Sequence, residues 1–501
     1  MIKPNMKSTF SKPTTSAVLR RHRLLLLSPL VIALAACTVG PDYVRPAAVP
    51  VTATTAFKEM QGWKPAQPSE LAINGKWWEM FSDSQLNALI EQIDISNQNL
   101  AESEASFRKA MALVQSARAS LYPTVALNAG KTNADTVSGG VTHSYSTGLT
   151  ASWELDIWGS VRRNVEANEA TAQATAGDLA AARLSAQAAL AQDYLQLRVL
   201  DSQQKLLNET VIAYQRSLDL TKNQYAVGVA AQSDVIQADT QLKTAQASAI
   251  DNGVSRAQLE HAIALLVGKI PSEFSIQPAP LEALAPPIPV AIPSMLLERR
   301  PDVAAAERRV AAANAQIGVA KAAYYPSLTL SASGGYQSTS GIANLFNLPN
   351  RVWSLGPSLS QTLFDGGALT AVTKQALANY DLTAATYKQT VLTAFQAVED
   401  NLAALRILEQ ESVVQHEALL SARKALSLVL NQYKAGTVSY ANVITAQATA
   451  LNSEITSLSI LNRRMAASVL LISALGGGWS EQNIADLQQL ANQAEQQKQT
   501  R

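Results

Sequence analysis

Hydrophobic and polar positions along this chain follow two rhythms, and the pair of rhythms occurs twice. The first is strict alternation. Tyr145, Thr147, Leu149, Ala151, Trp153, Leu155 and Ile157 share one face, and Ser146, Gly148, Thr150, Ser152, Glu154 and Asp156 share the other. Period two with one apolar and one polar face predicts a half-buried strand. Shorter alternations follow Pro123 (Val125, Leu127, Ala129) and Pro326 (Leu328, Leu330, Ala332). A fourth run sets Trp353, Leu355, Leu359 and Leu363 against Ser354, Gly356, Ser358, Ser360 and Thr362. Pro357 lies inside it and cannot donate to a ladder, which predicts a bulge or irregularity there.

The second rhythm is helical and unusually long. Ser160 to Ala226 contains no proline and one glycine, Gly177; Ala368 to Ala435 contains neither. At ~1.5 Å per residue each run makes roughly 100 Å of helix. Val391, Phe395, Val398, Leu402 and Leu405 step by 4, 3, 4 and 3, the spacing of a coiled-coil seam. Leu190, Tyr194 and Leu197 hold comparable places in the first run. Each run ends at a glycine, Gly228 or Gly436, and a second helix returns, over Gln232–Val267 or Tyr440–Leu475. So short a turn makes the two helices antiparallel neighbours. Shorter helices, Leu100–Ala119 and Val303–Ala323, precede the strands and stop where proline biases its predecessor toward extended structure.

These elements form an internal repeat. Leu121-Tyr122-Pro123 matches Tyr324-Tyr325-Pro326 at an offset of 203. Leu197-Arg198-Val199-Leu200 matches Leu405-Arg406-Ile407-Leu408, and Asn223-Gln224-Tyr225 with Gly228 matches Asn431-Gln432-Tyr433 with Gly436, at an offset of 208. The implied organisation is a leader (1–36), an extended segment (37–70), a first repeat (71–267), a linker with seven prolines (268–296), a second repeat (297–478) and a polar, Gln-rich tail (479–501).

Four strands constrain assembly. A bilayer tolerates sheets only when they are closed, and the smallest common barrels need about eight strands. Several copies must therefore share a barrel: two would supply eight strands and three would supply twelve. The apolar strand faces would meet lipid and the polar faces a lumen.

Composition adds an address. Residues 1–36 carry six basic and no acidic residues, and without them the chain is mildly acidic, at a formal net charge of −5. That balance excludes an electrostatic case for nucleic-acid binding. Arg20-Arg21-His22-Arg23 precedes an apolar run, Leu24 to Ala36, of signal-peptide length and too short to span a bilayer. The run ends Leu34-Ala35-Ala36-Cys37. This resembles a bacterial lipobox, which implies cleavage before Cys37 and its modification by diacylglycerol and an N-acyl chain. Thr38, rather than Asp, follows and by the same resemblance favours the outer membrane. Cys37 is the only cysteine, so no intrachain disulfide can form.

Further motifs carry a wider resemblance: Thr38-Val39-Gly40-Pro41-Asp42-Tyr43, Trp77-Trp78 with Phe81 and Asp83, and Leu297-Glu298-Arg299-Arg300-Pro301-Asp302 followed by Ala306-Glu307-Arg308-Arg309. Leu363-Phe364-Asp365-Gly366-Gly367 and Ala474-Leu475-Gly476-Gly477-Gly478-Trp479 complete the set. Together they resemble the outer-membrane factors of the TolC superfamily, of the lipoprotein NodT/OprM type. The resemblance implies a mixed β-barrel plus long α-helical barrel: a homotrimer with four strands per chain, a 12-stranded barrel and a coiled-coil periplasmic tunnel. It implies the outer-membrane exit duct of a tripartite efflux system, with a periplasmic adaptor and an inner-membrane transporter of RND type as partners, in contact with outer-membrane lipid.

In that family acidic side chains near the second-repeat turn narrow the pore. Aligned on Tyr433 and Gly436, the acidic positions fall on Asn442 and Thr445, and this chain departs from the pattern there. The first repeat places Asp234 opposite Asn442 and Asp239 opposite Gln447. Asp234 and Asp239 are thus candidates for an acidic tip, with Asn442 and Thr445 holding a closed state through neutral hydrogen bonds. Asp234 also suits a helix start, where a carboxylate favours the dipole.

Chemical motifs give no case for catalysis or a cofactor. His143, His261 and His416 are far apart without ligand-spaced partners, which argues against a metal site. Gly476-Gly477-Gly478 lacks the Lys-Ser/Thr of a phosphate loop and reads as a helix stop. Trp77-Trp78 suits packing better than a binding platform. Arg299-Arg300 and Arg308-Arg309 suit solvated or ion-paired helix faces. A rival reading is a periplasmic structural coiled-coil lipoprotein without channel activity; it predicts no lipid-facing strands.

Overall fold

The structure, a computed structural model, describes residues 38–47, 57–59, 76–136, 140–282, 286 and 300–479. The leader, Cys37, Arg299 and the tail beyond Trp479 lie outside them. Seven helices are described: α1 (Ser84–Ser96), α2 (Gln98–Ala119), α3 (Ser160–Ala226), α4 (Gln232–Leu266), α5 (Pro301–Ala322), α6 (Ala368–Lys434) and α7 (Tyr440–Ala474). The strands are β1 (Thr124–Thr136), β2 (Gly140–Leu155), β3 (Ser327–Ser338) and β4 (Arg351–Ser360).

The long helices run almost to their sequence limits, because nothing inside them breaks the hydrogen-bond ladder. Helix α1 was not legible from periodicity. Its start is fixed by Asp83, whose carboxylate accepts from the amides of Gln85 and Leu86 at 2.9 and 3.0 Å, a side-chain N-cap. Asn97 separates α1 from α2: its backbone is extended, its side-chain oxygen accepts from Leu100 N at 3.0 Å, and its amide donates to Leu266 O at 2.7 Å.

The chain forms two compact units. The first contains Ala112–Ala170 and Ala311–Leu382 with the segment up to Val44. Its antiparallel sheet has the order β1-β2-β3-β4, so the central pairing, β2 with β3, joins the two repeats. The register puts Leu127 opposite Leu149, Trp153 opposite Leu330, Leu155 opposite Leu328 and Ala332 opposite Leu355. The alternating apolar positions that lie within the strands therefore share one face of the sheet, while Ile157 and Leu363 fall beyond the ends of β2 and β4. Leu127, Leu149, Leu355 and Leu359 are exposed on it. The opposite face is polar: Asn128 donates to Thr150 Oγ1 at 2.9 Å and the Ser333 and Ser354 hydroxyls lie 2.9 Å apart.

Two strand expectations are corrected. β4 pairs with β3 without a bulge from Ser327↔Ser360 to Tyr336↔Arg351, with Pro357 opposite Leu330. Within the single chain β4 is an edge strand, and proline is tolerated beside one neighbour where its nitrogen faces away from that neighbour. β2 also ends at Leu155 rather than Ile157. Asp156, which continues the alternation, instead caps α3, accepting from the amides of Val161 and Arg162, both at 2.9 Å. On the polar face Gly148 pairs with Gly335. A Cβ at Gly335 would lie 2.2 Å from Thr147 O, so the strands approach more closely there than any side chain allows.

The second unit contains Arg45–Met111, Thr171–Val310 and the chain from Thr383 on. Its main core gathers Trp77, Trp78 and Phe81 from a short 3₁₀ turn, Leu86, Ile90 and Ile93 of α1, and Leu190, Tyr194 and Leu197 of α3. Val398 and Leu402 of α6 and Leu471 and Ile472 of α7 complete it. The seam residues read from the 4-3 spacing are thus core, and the tryptophans are packing residues, with ring centroids 5.9 Å apart in a T-shape. Among the described helices, α7 is long and apolar enough to cross a membrane, yet its C-terminal half supplies this core. Arg300 pairs with Asp302 and Arg309 with Asp178, as ion-paired helix faces.

Candidate functional site at the helix turns

Two equivalent turns join the long helices to their returns. After α3, Gly228 N donates to Tyr225 O and Val229 N to Gln224 O; after α6, Gly436 N donates to Tyr433 O and Thr437 N to Gln432 O. Gly228 and Gly436 adopt φ of +79° and +73°, which glycine alone adopts without strain. The two turns are thus the same structure at an offset of 208.

What they carry differs. Asp234 caps α4: its Oδ2 accepts from Ala231 N at 3.3 Å while its own amide donates to Ala231 O at 3.1 Å. Asp239, Asn442 and Thr445 are exposed in the single chain, and Thr445 Oγ1 donates back to Ala441 O at 3.0 Å. Gln447, the counterpart of Asp239, is buried and its Oε1 has no partner.

The aromatic pair beside the turns is asymmetric in the same way. Tyr225 is 48% exposed, whereas its counterpart Tyr433 is 4% exposed. Tyr433 packs with Tyr440, ring centroids 5.3 Å apart, in a second core with Tyr214, Leu218, Leu242 and Val443. Tyr433 Oη lies 3.0 Å from Thr221 Oγ1, and Tyr440 Oη donates to Ser217 Oγ at 3.5 Å. Thr221 gives its single hydroxyl proton to Ser217 O at 2.9 Å, so Tyr433 is the donor to Thr221. Burial raises both phenols above their ordinary pKa, and the negative charge of Asp234 adds to it. The structure thus brings Tyr433 and Asp234 into one electrostatic neighbourhood. Among the described residues, neither bonds to Asp239, Asn442 or Thr445. Tyr440, Ser217 and Thr221 were not legible as partners, since no local pattern joins α3 to α7.

In the first unit, the residues that follow Cys37 are held at the start of α3. Val39 N donates to Trp158 O at 3.0 Å, Asn314 Nδ2 donates to Pro41 O at 3.0 Å, and Asp42 pairs with Arg163 at 2.8 Å. Trp158 stacks on Tyr325, ring centroids 4.8 Å apart, beside the strand ends, where aromatic side chains suit a membrane–water interface.

A sheet with one exposed apolar face and one polar face, on a chain that twice folds into a long antiparallel helix pair, defines the protomer of an outer-membrane channel. The outer membrane efflux protein family matches residues 89–269 and 292–477. Outer membrane protein OprJ of Pseudomonas aeruginosa is 33% identical over 476 residues, covering 91% of this chain and 96% of that protein. The probable efflux pump outer membrane protein TtgC of Pseudomonas putida is 30% identical over 471 residues, covering 92% and 96%. The solved structure of the outer-membrane channel OprN has a TM-score of 0.82 at 30% identity, covering 88% of this chain and 100% of that one. The chain belongs to the outer membrane efflux protein family. It acts as an efflux channel of the outer membrane, and the family is one of channels rather than enzymes.

Proposed function

We propose that three copies of this chain close a shared 12-stranded barrel and form the exit duct of a tripartite system, fed by a periplasmic adaptor and an inner-membrane transporter of RND type. The observation that carries the shared barrel is the sheet of four strands with β1 and β4 unpaired at its edges. Lipid cannot satisfy open backbone edges, and an exposed apolar face suits the bilayer only if those edges meet other copies. Acylated Cys37 would add an anchor to the closed barrel, each buried CH₂ contributing ~0.8 kcal/mol. At the helix turns, the buried Tyr433–Thr221 contact holds the two repeats together, and Asp234 and Asp239 give the tip a negative field. Asn442 and Thr445, neutral and exposed, are placed to meet other copies.

Outer-membrane extracts run without boiling test the assembly. The expected result is a detergent-stable oligomer of three chains that dissociates on heating and conducts ions in planar bilayers. A chain that runs as a monomer and conducts nothing would overturn the reading.

A further inference from the structure

The loop between β3 and β4, residues 339–350, closes the end of the sheet opposite to the one where α5 leads in and α6 leads out. On the barrel reading the helices leave on the periplasmic side, so this loop lies at the outer surface. It could fold inward across the lumen or outward over the lipid-facing side, and three neighbouring residues decide. Tyr336 shares the apolar face with Leu328, Leu330 and Ala332, and the ring of Phe346 packs on it in a T-shape, centroids 5.5 Å apart. Ser338, two residues on and on the same face, is 1% exposed; its hydroxyl donates to Gly341 O at 3.2 Å and accepts from Ser340 N at 3.3 Å. Gln337, between them on the polar face, stays exposed. The loop therefore lies over the apolar face and leaves the polar face open.

Its side chains suit that place. Residues 339–350 carry no charge. Leu345 is buried, whereas Phe346 and Leu348 are 70% and 79% exposed. The apolar tip is held folded, by 3₁₀ turns at Ile342–Asn344 and Leu348–Asn350 and by a bond from Asn350 Nδ2 to Asn344 O at 2.6 Å.

The cations of the apolar face stand at the same end. On this face the described strands carry Lys131 and Arg351, with one acid, Asp135, four residues beyond Lys131. Lys131 Nζ sits over the ring of Tyr145, 5.5 Å from its centroid. Arg351 is the register partner of Tyr336. Aromatic rings at the edge of an apolar band mark the headgroup level of a bilayer. There long basic side chains lay their stems on apolar surface and carry their charge to lipid phosphates.

We propose that this loop and the two cations beside it form a docking site for phosphorylated lipid of the outer leaflet. Phe346 and Leu348 enter the acyl boundary, and Lys131 and Arg351 take the headgroup phosphates. The inference rests on the barrel reading and adds a ligand to it. The site is continuous with the lipid-facing sheet and positively charged, which favours anionic lipid over a second copy of the chain as its occupant.

Two measurements on the full-length protein test this, each run beside the heat-modifiable oligomer. In vesicles containing lipid A, a bisphosphorylated glycolipid, an environment-sensitive label on Leu348→Cys should be quenched by lipid-borne nitroxide and shielded from aqueous iodide. The same label on Gln337→Cys should behave in the opposite way, and the unaltered protein, labelled in parallel, gives the contribution of Cys37. In mild detergent the unaltered protein should retain lipid A, counted by native mass spectrometry, against excess inorganic phosphate. Lys131→Gln and Arg351→Gln should each retain about fivefold less, while Arg351→Lys, and Lys374→Gln on α6, retain it. An unaltered protein without the oligomer refutes the barrel. With the oligomer intact, the docking site is overturned by a Leu348 label that stays in water, by one that neither quencher reaches because a second copy covers it, by displacement of lipid A by inorganic phosphate, or by retention indifferent to both glutamine substitutions.

Discussion

Tyr433 on α6 donates a buried hydrogen bond, 3.0 Å long, to Thr221 on α3, and so ties the second repeat to the first beside the helix turns. Tyr433→Phe removes the donor and leaves Thr221 bonded to Ser217 O. The expected cost is about 0.5–1.5 kcal/mol, read as a lower thermal midpoint. If the contact helps to hold the tip closed, single-channel conductance in planar bilayers rises; an unchanged conductance assigns the contact to stability alone.

Asp234→Asn separates capping from field. Asparagine can still accept from Ala231 N, so the helix start survives with a loss of about 0.3–1 kcal/mol in its dipole interaction. Cation preference of the channel should fall. A reversal potential identical to that of the unaltered protein would exclude Asp234 from the ion path.

Gly335 and Gly334 are adjacent and should respond in opposite ways. A Cβ at 335 meets Thr147 O and Gly148 Cα, whereas a Cβ at 334 meets nothing within 4 Å. Gly335→Ala is expected to deplete the heat-modifiable oligomer while circular dichroism still reports the long helices. Gly334→Ala should assemble normally.

Tyr194 predicts an alkaline limit. Its phenol donates to Asp83 at 2.8 Å and receives Arg198 Nε at 3.0 Å, and burial first, then the Asp83 contact, pushes its pKa from 10.0 to about 12. The folded pKa is raised, so the stability this group contributes is complete below pH 10 and is lost as pH climbs from 10 through about 12. The amount is on the order of 2–3 kcal/mol. The thermal midpoint of the unaltered protein should therefore fall more steeply over that range than that of Tyr194→Phe; parallel slopes would contradict it.

What the sequence made legible is what local rules control. Uninterrupted helix between Ser160 and Ala226 follows from the absence of breakers, and the single apolar face of the sheet follows from period two. Pro357 misled because its effect depends on where the strand sits in the sheet, which no local window contains. Asp156 misled for a related reason: it continued an alternation, yet the following helix took its carboxylate as a cap. At the turns, Tyr225 and Tyr433 are equal in sequence and unlike in burial, since burial is decided by α7 and α3 together. Asn442 and Thr445 are exposed in the single chain, and the role proposed for them rests on contacts between copies, which one copy's sequence does not display.

The bare edges of β1 and β4 also have a kinetic meaning. If copies must meet before either edge is satisfied, insertion is not a first-order event for a finished molecule. Its rate rises with a power of the local protomer concentration, and the number of working ducts responds more steeply than linearly to synthesis. A modest change in expression then becomes a larger change in export capacity, and a co-expressed protomer with a defective edge poisons assemblies out of proportion to its abundance.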